Sequence, residues 1–351
     1  MASPIPILNL YYLLSYAWER YQAGEWCDVE ADTCPDLENL FAVMLAGGLS
    51  QLARHGVDRA YVLHEEETAR LRGRLMLMQS LRRQTHLAGR MHCAFDELSA
   101  DVLHNQLLHS VAAKLLGSPA LTRENRQRLR HAMEPLKSVQ RIRVTSALFQ
   151  RVQLHRNNRI YRFLLNLCAL IHRMMLPGEP GGGSHRVEDV LRDEKFMHQL
   201  FERFVRNFAA RHCPEASVSS KALHWQASGD EIALAHLPGM ITDVTIEWPS
   251  RKLIADCKYY ASSMTERHDT LRLHSSHLYQ LLAYLKNQAV HPGWETVEGL
   301  LIYPAVQRHF DLSYTLLGHK VRAATLDLNQ PWQALRQSLI GLLGCETEAV
   351  G

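Results

Sequence analysis

Two apolar segments in the second half of this 351-residue sequence each carry an acidic residue. Asp243 lies in the run 240–246, and Asp256 lies in the run 253–260, with Lys258 two positions later. Because an unpaired buried carboxylate is costly, each acid requires a partner, and a divalent cation suffices. If the segments pair as a hairpin, their backbones lie about 4.8 Å apart, so both carboxylates can bind one hard cation such as Mg²⁺.

The spacing of these acids matches the pattern of the PD-(D/E)xK nucleases, in which Asp-x-Lys follows an earlier Asp. Asp256 follows Asp243 by thirteen residues (256 − 243 = 13). Phosphodiester hydrolysis requires a metal that polarises the phosphoryl oxygen and activates water. The carboxylates would hold it, with the backbone carbonyl of Cys257 as a further ligand, and Mn²⁺ would fit the same oxygen ligands as Mg²⁺.

Lys258 would then orient the attacking water or stabilise the charge that develops on the phosphate. Its side chain is predicted to lie on the same face as that of Asp256, because residues two apart on a strand share a face. The competing interpretation is a surface hairpin in which these two residues form an ordinary ion pair, worth ~0–1 kcal/mol.

The following helix carries a second signal, since Gln280 and Tyr284 are four residues apart and share one helix face. A Gln-x-x-x-Tyr helix after the lysine strand is typical of RecB-like nucleases, where the pair orients the lysine or contacts the DNA backbone. The alternative is a tyrosine in the core and a glutamine in solvent. Upstream, Glu202 is the first candidate for a further metal ligand and Glu194 the second, although amphipathic helices also carry exposed glutamates.

These residues require a scaffold of alternating strands and helices, and the hydrophobic pattern of the second half predicts one. The pattern indicates an α/β domain with a mixed central sheet flanked by helices. Predicted helices cover residues 187–210, 273–286 and 332–343, and predicted strands cover residues 222–226, 240–247, 253–260, 299–303, 310–316 and 321–328.

The first half predicts a mainly helical N-terminal domain with some strands. Predicted helices cover residues 8–18, 37–53 and 102–116, and strand-like runs begin at residues 60 and 74. The proline- and glycine-rich segment 177–184 predicts a linker. We therefore expect domains at residues 1–160 and 161–351, with the boundary between residues 160 and 184.

Composition excludes several classes of protein. Lysine plus arginine total 39 and aspartate plus glutamate total 36, so the net charge of +3 argues against a simple polycation, and 46% hydrophobic residues argue against disorder. No apolar run reaches the ~18 residues of a membrane-spanning helix, and no signal peptide is evident. The seven irregularly spaced cysteines predict reduced thiols in a cytoplasmic protein.

The charge is nevertheless uneven, because residues 123–162 contain eleven basic and two acidic residues, a local sum of +9 (11 − 2). One interpretation is a solvated helix face. The other is a surface for phosphate or for an acidic partner.

Taken together, the motifs resemble the McrC family, the nuclease subunits of McrBC modification-dependent restriction systems, over nearly the whole chain. The opening run Asn-Leu-Tyr-Tyr-Leu-Leu-Ser-Tyr-Ala-Trp is specific to it. The resemblance is carried, besides the two acid-bearing strands, by residues 5–18, 72–75, 95–99, Asn105, 277–280 and 299–304.

The resemblance implies a type IV restriction endonuclease subunit, acting in antiphage defence, that cuts double-stranded DNA carrying modified cytosine. It implies a partner, an McrB-like hexameric AAA+ GTPase that recognises the methylated base and whose GTP hydrolysis the N-terminal domain stimulates. GTP would be bound only through this partner, which agrees with the lack of a G-x-x-x-x-G-K-[ST] motif in this sequence.

The same resemblance gives the basic segment a role, in which selected arginines face the GTPase partner or the DNA path. These are Arg141, Arg143, Arg156 and Arg159. Two alternatives stay open: a catalytically decayed adaptor that only activates the GTPase, and a stand-alone PD-(D/E)xK nuclease. The intact acidic, lysine and Gln-x-x-x-Tyr positions argue against decay, and the large N-terminal half argues against a stand-alone enzyme.

Overall fold

A computed structural model shows two compact units that do not follow the predicted division. The split unit consists of Met1–Asp32 and Gly178–Gly351, and the inserted unit is Thr33–Pro177. The change of unit after residue 177 lies within the predicted boundary region, but the first segment belongs with the C-terminal one. The structure describes residues 5–19, 34–154, 158–175, 193–259, 264–267, 270–305 and 309–345.

Both units combine helices and strands, labelled here in chain order. After α1 (Ile7–Ala17) of the split unit, the inserted unit contains α2 (Leu37–His55), β1 (Ala60–Thr68), β2 (Arg74–Leu75), α3 (Leu77–Arg82), β3 (Met91–Ser99), α4 (Leu103–Leu116), α5 (Arg123–Ala132), α6 (Ser146–Arg151) and α7 (Arg159–Met174). Its strands form an antiparallel sheet in the order β1-β3-β2.

A buried polar network joins three segments of the inserted unit. The Tyr161 hydroxyl donates to Asn105 Oδ1 at 2.8 Å and accepts from the backbone N–H of Asp58 at 2.7 Å. These bonds connect α7, α4 and the start of β1, and burial raises the pKa of Tyr161 to about 12. The network gives Asn105, one of the residues that carry the family resemblance, a structural role.

The split unit continues with the elements that build the larger sheet. These are α8 (Glu194–His212), β4 (Ser217–Ser219), β5 (Ala222–Leu223), α9 (Glu231–Ala235), β6 (Met240–Ile241), β7 (Val244–Glu247), β8 (Lys252–Cys257), β9 (Met264–Arg267), β10 (Thr270–Leu273), α10 (Ser275–Gln288), β11 (Glu298–Pro304), β12 (Asp311–Leu316), β13 (His319–Leu326) and α11 (Trp332–Leu343).

Six of these strands form one mixed sheet in the order β12-β13-β11-β8-β7-β4. β11 runs parallel to β8 and β13, whereas the outer pairs are antiparallel. Helix α10 packs closely on β11, because a Cβ at Gly299 would lie 2.9 Å from the side chains of Leu281 and Leu285. The predicted α/β architecture with a mixed sheet is confirmed.

Helix α1 is part of the core of the split unit. The Asn9 side-chain amide donates to the backbone carbonyls of Leu328 at 2.8 Å and Gln330 at 2.7 Å. The Tyr12 ring stacks on Trp332 with centroids 3.9 Å apart. The specific opening run therefore fixes the first helix to the last one of this unit, which explains why the N-terminal segment departs from the predicted division.

One pair of cysteines departs from the predicted reduced state, since Cys213 and Cys345 form a disulfide. Each follows the end of a helix, α8 or α11, and the two Cα atoms lie 5.1 Å apart, which suits a disulfide. Because 132 residues separate the two cysteines in the sequence, their spacing does not indicate that they lie close together. Cys93, Cys168 and Cys257 are free and buried, and Cys34 is buried as well. Within the described ranges, no helix is long and apolar enough to cross a membrane.

Candidate active site

The predicted hairpin forms, and it places the two acids opposite each other. β7 pairs antiparallel with β8 in a register that puts Val244 opposite Ala255. One further step along this register puts Asp243 opposite Asp256. We call β7, β8 and these two aspartates the acidic hairpin.

Asp243 itself lies in a bend and not in the interior of a continuous strand 240–247, so that part of the prediction is wrong. The run is divided into β6, which pairs with β5, and β7, which pairs with β4 and β8. The reason is local hydrogen bonding at Thr242, whose Oγ1 accepts from the Lys221 backbone N–H at 2.9 Å and whose carbonyl accepts from Ser220 Oγ at 2.7 Å. At this bend the Asp243 carboxylate accepts from the Cys257 backbone N–H at 2.7 Å.

Asp256 is the most deeply buried charge of the site, with an exposed fraction of 0%. The Lys258 ammonium lies 2.9 Å from Asp256 Oδ2 as an ion pair. Apart from this contact with Lys258, neither carboxylate oxygen of Asp256 accepts a hydrogen bond from the described residues. A buried carboxylate whose oxygens have so few hydrogen-bond donors is suited to binding a cation.

A chain of hydrogen bonds from helix α10 holds the lysine. Lys258 Nζ donates to Gln280 Oε1 at 2.8 Å, and Gln280 Nε2 donates to the Tyr284 hydroxyl at 2.7 Å. The hydroxyl in turn donates to the Ile241 carbonyl at 3.0 Å, next to the Asp243 bend. Burial raises the pKa of Tyr284, which keeps this hydroxyl a donor. The structure thus brings the predicted Gln-x-x-x-Tyr pair to the predicted lysine.

Helix α8 adds two side chains, one of which the sequence reasoning missed. His198 Nε2 lies 2.8 Å from Glu202 Oε1, and His198 Nδ1 accepts from the Tyr259 backbone N–H at 3.3 Å. The hydrogen bond to Glu202 raises the pKa of His198. A histidine four residues before the candidate glutamate, on the same helix face, was the available signal. Glu194, the second candidate, is exposed in the first turn of α8.

The electrostatics of the site favour a proton or a cation between the acids. Burial, together with the neighbouring charges of Asp256 and Glu202, raises the pKa of Asp243 to about 7. Burial also raises the pKa of Asp256, although Lys258 opposes the shift. These carboxylates fit a hard divalent cation, which prefers oxygen ligands. In the described part of the chain, no group of three or more His, Cys, Asp or Glu side chains is assembled as a metal cluster, so Glu202 is not preformed as a third ligand.

The predicted basic residues lie in the inserted unit. Arg141 and Arg143 are exposed in an extended segment after α5, where Arg141 Nε donates to His109 Nε2 of α4 at 3.3 Å. Arg159 is exposed at the first residue of α7. Arg156 lies outside the described residues. The described arginines are available on the surface, as either interpretation of the basic segment requires.

Comparison with known proteins gives the family. The family described as McrBC 5-methylcytosine restriction system component matches residues 9–304. The chain is 31% identical over 339 residues to the type IV methyl-directed restriction enzyme EcoKMcrBC of Escherichia coli K12, covering 96% of this chain and 97% of that one.

Among solved structures, the chain is similar to one in a refined half-complex from the tetradecameric assembly of Thermococcus gammatolerans McrB AAA+ hexamers with bound McrC. The TM-score is 0.54 and the identity 19%, over 96% of this chain and 76% of that chain. At this identity the similarity shows a shared fold. The predicted resemblance is confirmed, and the family match includes most of helix α1 and the whole acidic hairpin. The chain belongs to the McrBC 5-methylcytosine restriction system component family.

Proposed function

We propose that this chain is the DNA-cleaving subunit of a GTP-dependent, modification-dependent restriction complex and hydrolyses phosphodiesters with Mg²⁺. The observation that carries the proposal is the acidic hairpin, in which Asp243 and the buried Asp256 occupy opposed positions and Lys258 is held beside them. A raised pKa at two neighbouring carboxylates, together with a fixed cationic side chain, is typical of a functional site. The family membership supports a restriction nuclease in general terms.

Each residue of the candidate site has a proposed role. Asp243, Asp256 and the Cys257 carbonyl would hold Mg²⁺ or Mn²⁺, and Glu202 is a candidate further ligand. When bound, the ion polarises the phosphoryl oxygen and lowers the pKa of a water molecule. Lys258 orients the attacking water or stabilises the developing negative charge.

Gln280 and Tyr284 act through the lysine. Gln280 accepts one hydrogen bond from the ammonium and is itself fixed by the tyrosine hydroxyl. Because the tyrosine is also bonded to the backbone beside the Asp243 bend, one chain of contacts sets the position of the ammonium relative to both aspartates. These hydrogen bonds hold the long Lys258 side chain in one conformation. Without them, ordering this side chain at the reacting group would cost conformational entropy.

We propose in addition that the chain binds an McrB-like hexameric AAA+ GTPase and stimulates its GTP hydrolysis. Support comes from the solved McrC chain of similar fold, which is described as bound to McrB hexamers. The substrate is then double-stranded DNA with modified cytosine, recognised through the partner, and GTP is bound only by the partner. The exposed arginines of the inserted unit are the proposed contacts to the partner or the DNA.

The experiment that tests catalysis uses Asp256→Asn in the complete complex, with GTP, Mg²⁺ and methylated plasmid. We expect the rate of cleavage to fall by roughly 10²–10³-fold, because a charge-stabilising group of the reaction is lost. Stimulation of the partner GTPase should remain. Asp311→Asn is the matched control, since Asp311 is an exposed carboxylate of the same sheet paired with Arg322.

Cleavage by Asp256→Asn at the wild-type rate would exclude the metal-binding role. A wild-type complex that stimulates GTP hydrolysis but never cuts DNA would favour the decayed adaptor. A purified chain that cuts methylated DNA without partner and GTP would favour the stand-alone nuclease.

A further inference from the structure

Three polar residues of helix α8 lie on the face toward the acidic hairpin. His198, Glu202 and Arg206 are spaced by four residues, which places them along one face of the helix. At one end His198 contacts the backbone of Tyr259, just after β8. At the other end Arg206 contacts the backbone of Asp243, just before β7. Helix α8 therefore contacts both segments that carry the proposed metal ligands.

The contact made by Arg206 is with a main-chain group that the sheet does not use. Arg206 Nη1 donates to the Asp243 carbonyl at 3.2 Å. Asp243 lies in the bend between β6 and β7, outside both strands. On the other side of the bend, Ser220 Oγ donates to the Thr242 carbonyl at 2.7 Å. The peptide groups before and after the Asp243 Cα are thus each fixed by a side chain.

Both contacts lie where the ladder between β7 and β8 is interrupted. The register of β7 and β8 would place Cys257 opposite Thr242 in an unbroken ladder. Instead, the Cys257 N–H donates to the Asp243 carboxylate. The run 240–247 is rich in strand-forming residues, so its local preference is for the unbroken strand. The position of the carboxylate consequently depends on the groups that hold the bend.

We propose that Arg206 is a positioning residue for metal binding. Its guanidinium fixes the Asp243 carbonyl and thereby keeps the Asp243 carboxylate beside Asp256, where the two can share a divalent cation. An arginine suits this task because its planar guanidinium carries several hydrogen-bond donors in fixed geometry and stays charged at every pH at which proteins are folded. The inference rests on the proposed function, since it assigns Arg206 to the same site.

The test is calorimetric titration of the purified full chain with Mn²⁺, without DNA, GTP or partner. Arg206→Met is expected to bind Mn²⁺ about ten times more weakly than the wild type, the usual effect of removing a group that orients a metal ligand. Arg203→Met is the matched control, because Arg203 lies exposed on the same helix. In an Asp243→Asn background the added Arg206→Met change should have no further effect, since Arg206 acts through Asp243.

Should the methionine variant not fold, Arg206→Lys and Arg203→Lys take its place. Arg206→Lys removes the planar donor group and should therefore also weaken Mn²⁺ binding, by about threefold. Wild-type affinity in the Arg206 variants, or an equal loss in the Arg203 controls, overturns the proposal while leaving the proposed function standing. A wild-type chain that binds no Mn²⁺ also overturns the proposal for Arg206, and the cleavage assay of Asp256→Asn in the complete complex then decides on the proposed function separately.

Discussion

Replacing Asp243 by asparagine should make the metal-free protein more stable at pH 8 while removing one of the proposed metal ligands. Burial and two neighbouring carboxylates raise the pKa of Asp243 to about 7. The unfolded chain releases this proton near the ordinary value of 3.8. The folded protein therefore binds more protons between these values, so the free energy of unfolding falls as the pH rises toward 7 and is nearly constant above it.

The size of the effect follows from the shift. Between pH 5 and pH 7 the wild type should lose about 1.4 kcal/mol per pH unit, hence about 3 kcal/mol in total. Asparagine carries no charge at any pH and keeps an oxygen that can accept from the Cys257 N–H. The stability of Asp243→Asn relative to the wild type should consequently increase by about 3 kcal/mol from pH 5 to pH 8.

Urea unfolding followed by tryptophan fluorescence, in the presence of EDTA, measures this difference. All six tryptophans lie in Met1–Asp32 and Gly178–Gly351, so the signal reports on the split unit alone. Histidines remote from this site are unaffected by the substitution, so their contribution cancels in the comparison, whereas His198 differs because the charge of Asp243 raises its pKa. Asp311→Asn is the control: its partner Arg322 lowers the pKa of Asp311, so this acid is charged at both pH values and its removal should have the same effect at each.

A difference between Asp243→Asn and the wild type that stays constant from pH 5 to pH 8 would refute the reasoning. It would mean that the folded protein does not hold this carboxyl neutral, and that repulsion between the two aspartates is not what a cation relieves. A variant that is less stable at both pH values by the same amount would lead to the same conclusion.

Two further predictions concern the disulfide and the basic surface. Cys213→Ser should destabilise the split unit, by about 5 kcal/mol if the 132-residue separation is converted by chain entropy alone. A reductant should lower the free energy of unfolding of the wild type to that of the variant. If the stability of the wild type is insensitive to reductant, Cys213 and Cys345 are unpaired in solution. Reversing the charges of Arg141 and Arg143 to glutamate should weaken stimulation of the partner GTPase or retention of DNA without altering Mn²⁺ binding. If stimulation and retention both persist, the two arginines form only a solvated face.

The sequence was informative where the physical cause is local. Helix α11 has the predicted bounds Trp332–Leu343, because its apolar residues follow the helical period and a proline precedes it. The acidic hairpin was also predictable, since a turn between two apolar runs brings Asp243 and Asp256 to opposed positions. The Gln-x-x-x-Tyr spacing likewise placed Gln280 and Tyr284 on one helix face before their contacts were known.

What the sequence could not predict depends on distant partners. The bend at Asp243 is fixed by Ser220 and Arg206, and nothing within the apolar run 240–247 indicates them. The same holds for Asn9, whose acceptors lie more than 300 positions away. Strand β3 was not predicted, because its second half, after Phe95, is exposed and carries acids that conceal a strand pattern.

The order in which the chain is synthesised bears on when the acidic hairpin can form. Helix α1 is synthesised before the other described elements, but it packs on α8 and its Tyr12 stacks on Trp332 of α11, the last described helix. The inserted unit is contiguous and can fold while the remainder is still being made. The core of the split unit, by contrast, requires contacts of very large sequence separation, which form late. A chain interrupted before α11 therefore presents the exposed arginines of the inserted unit but lacks the Trp332 partner of α1, so the acidic hairpin lies in a unit whose core is incomplete.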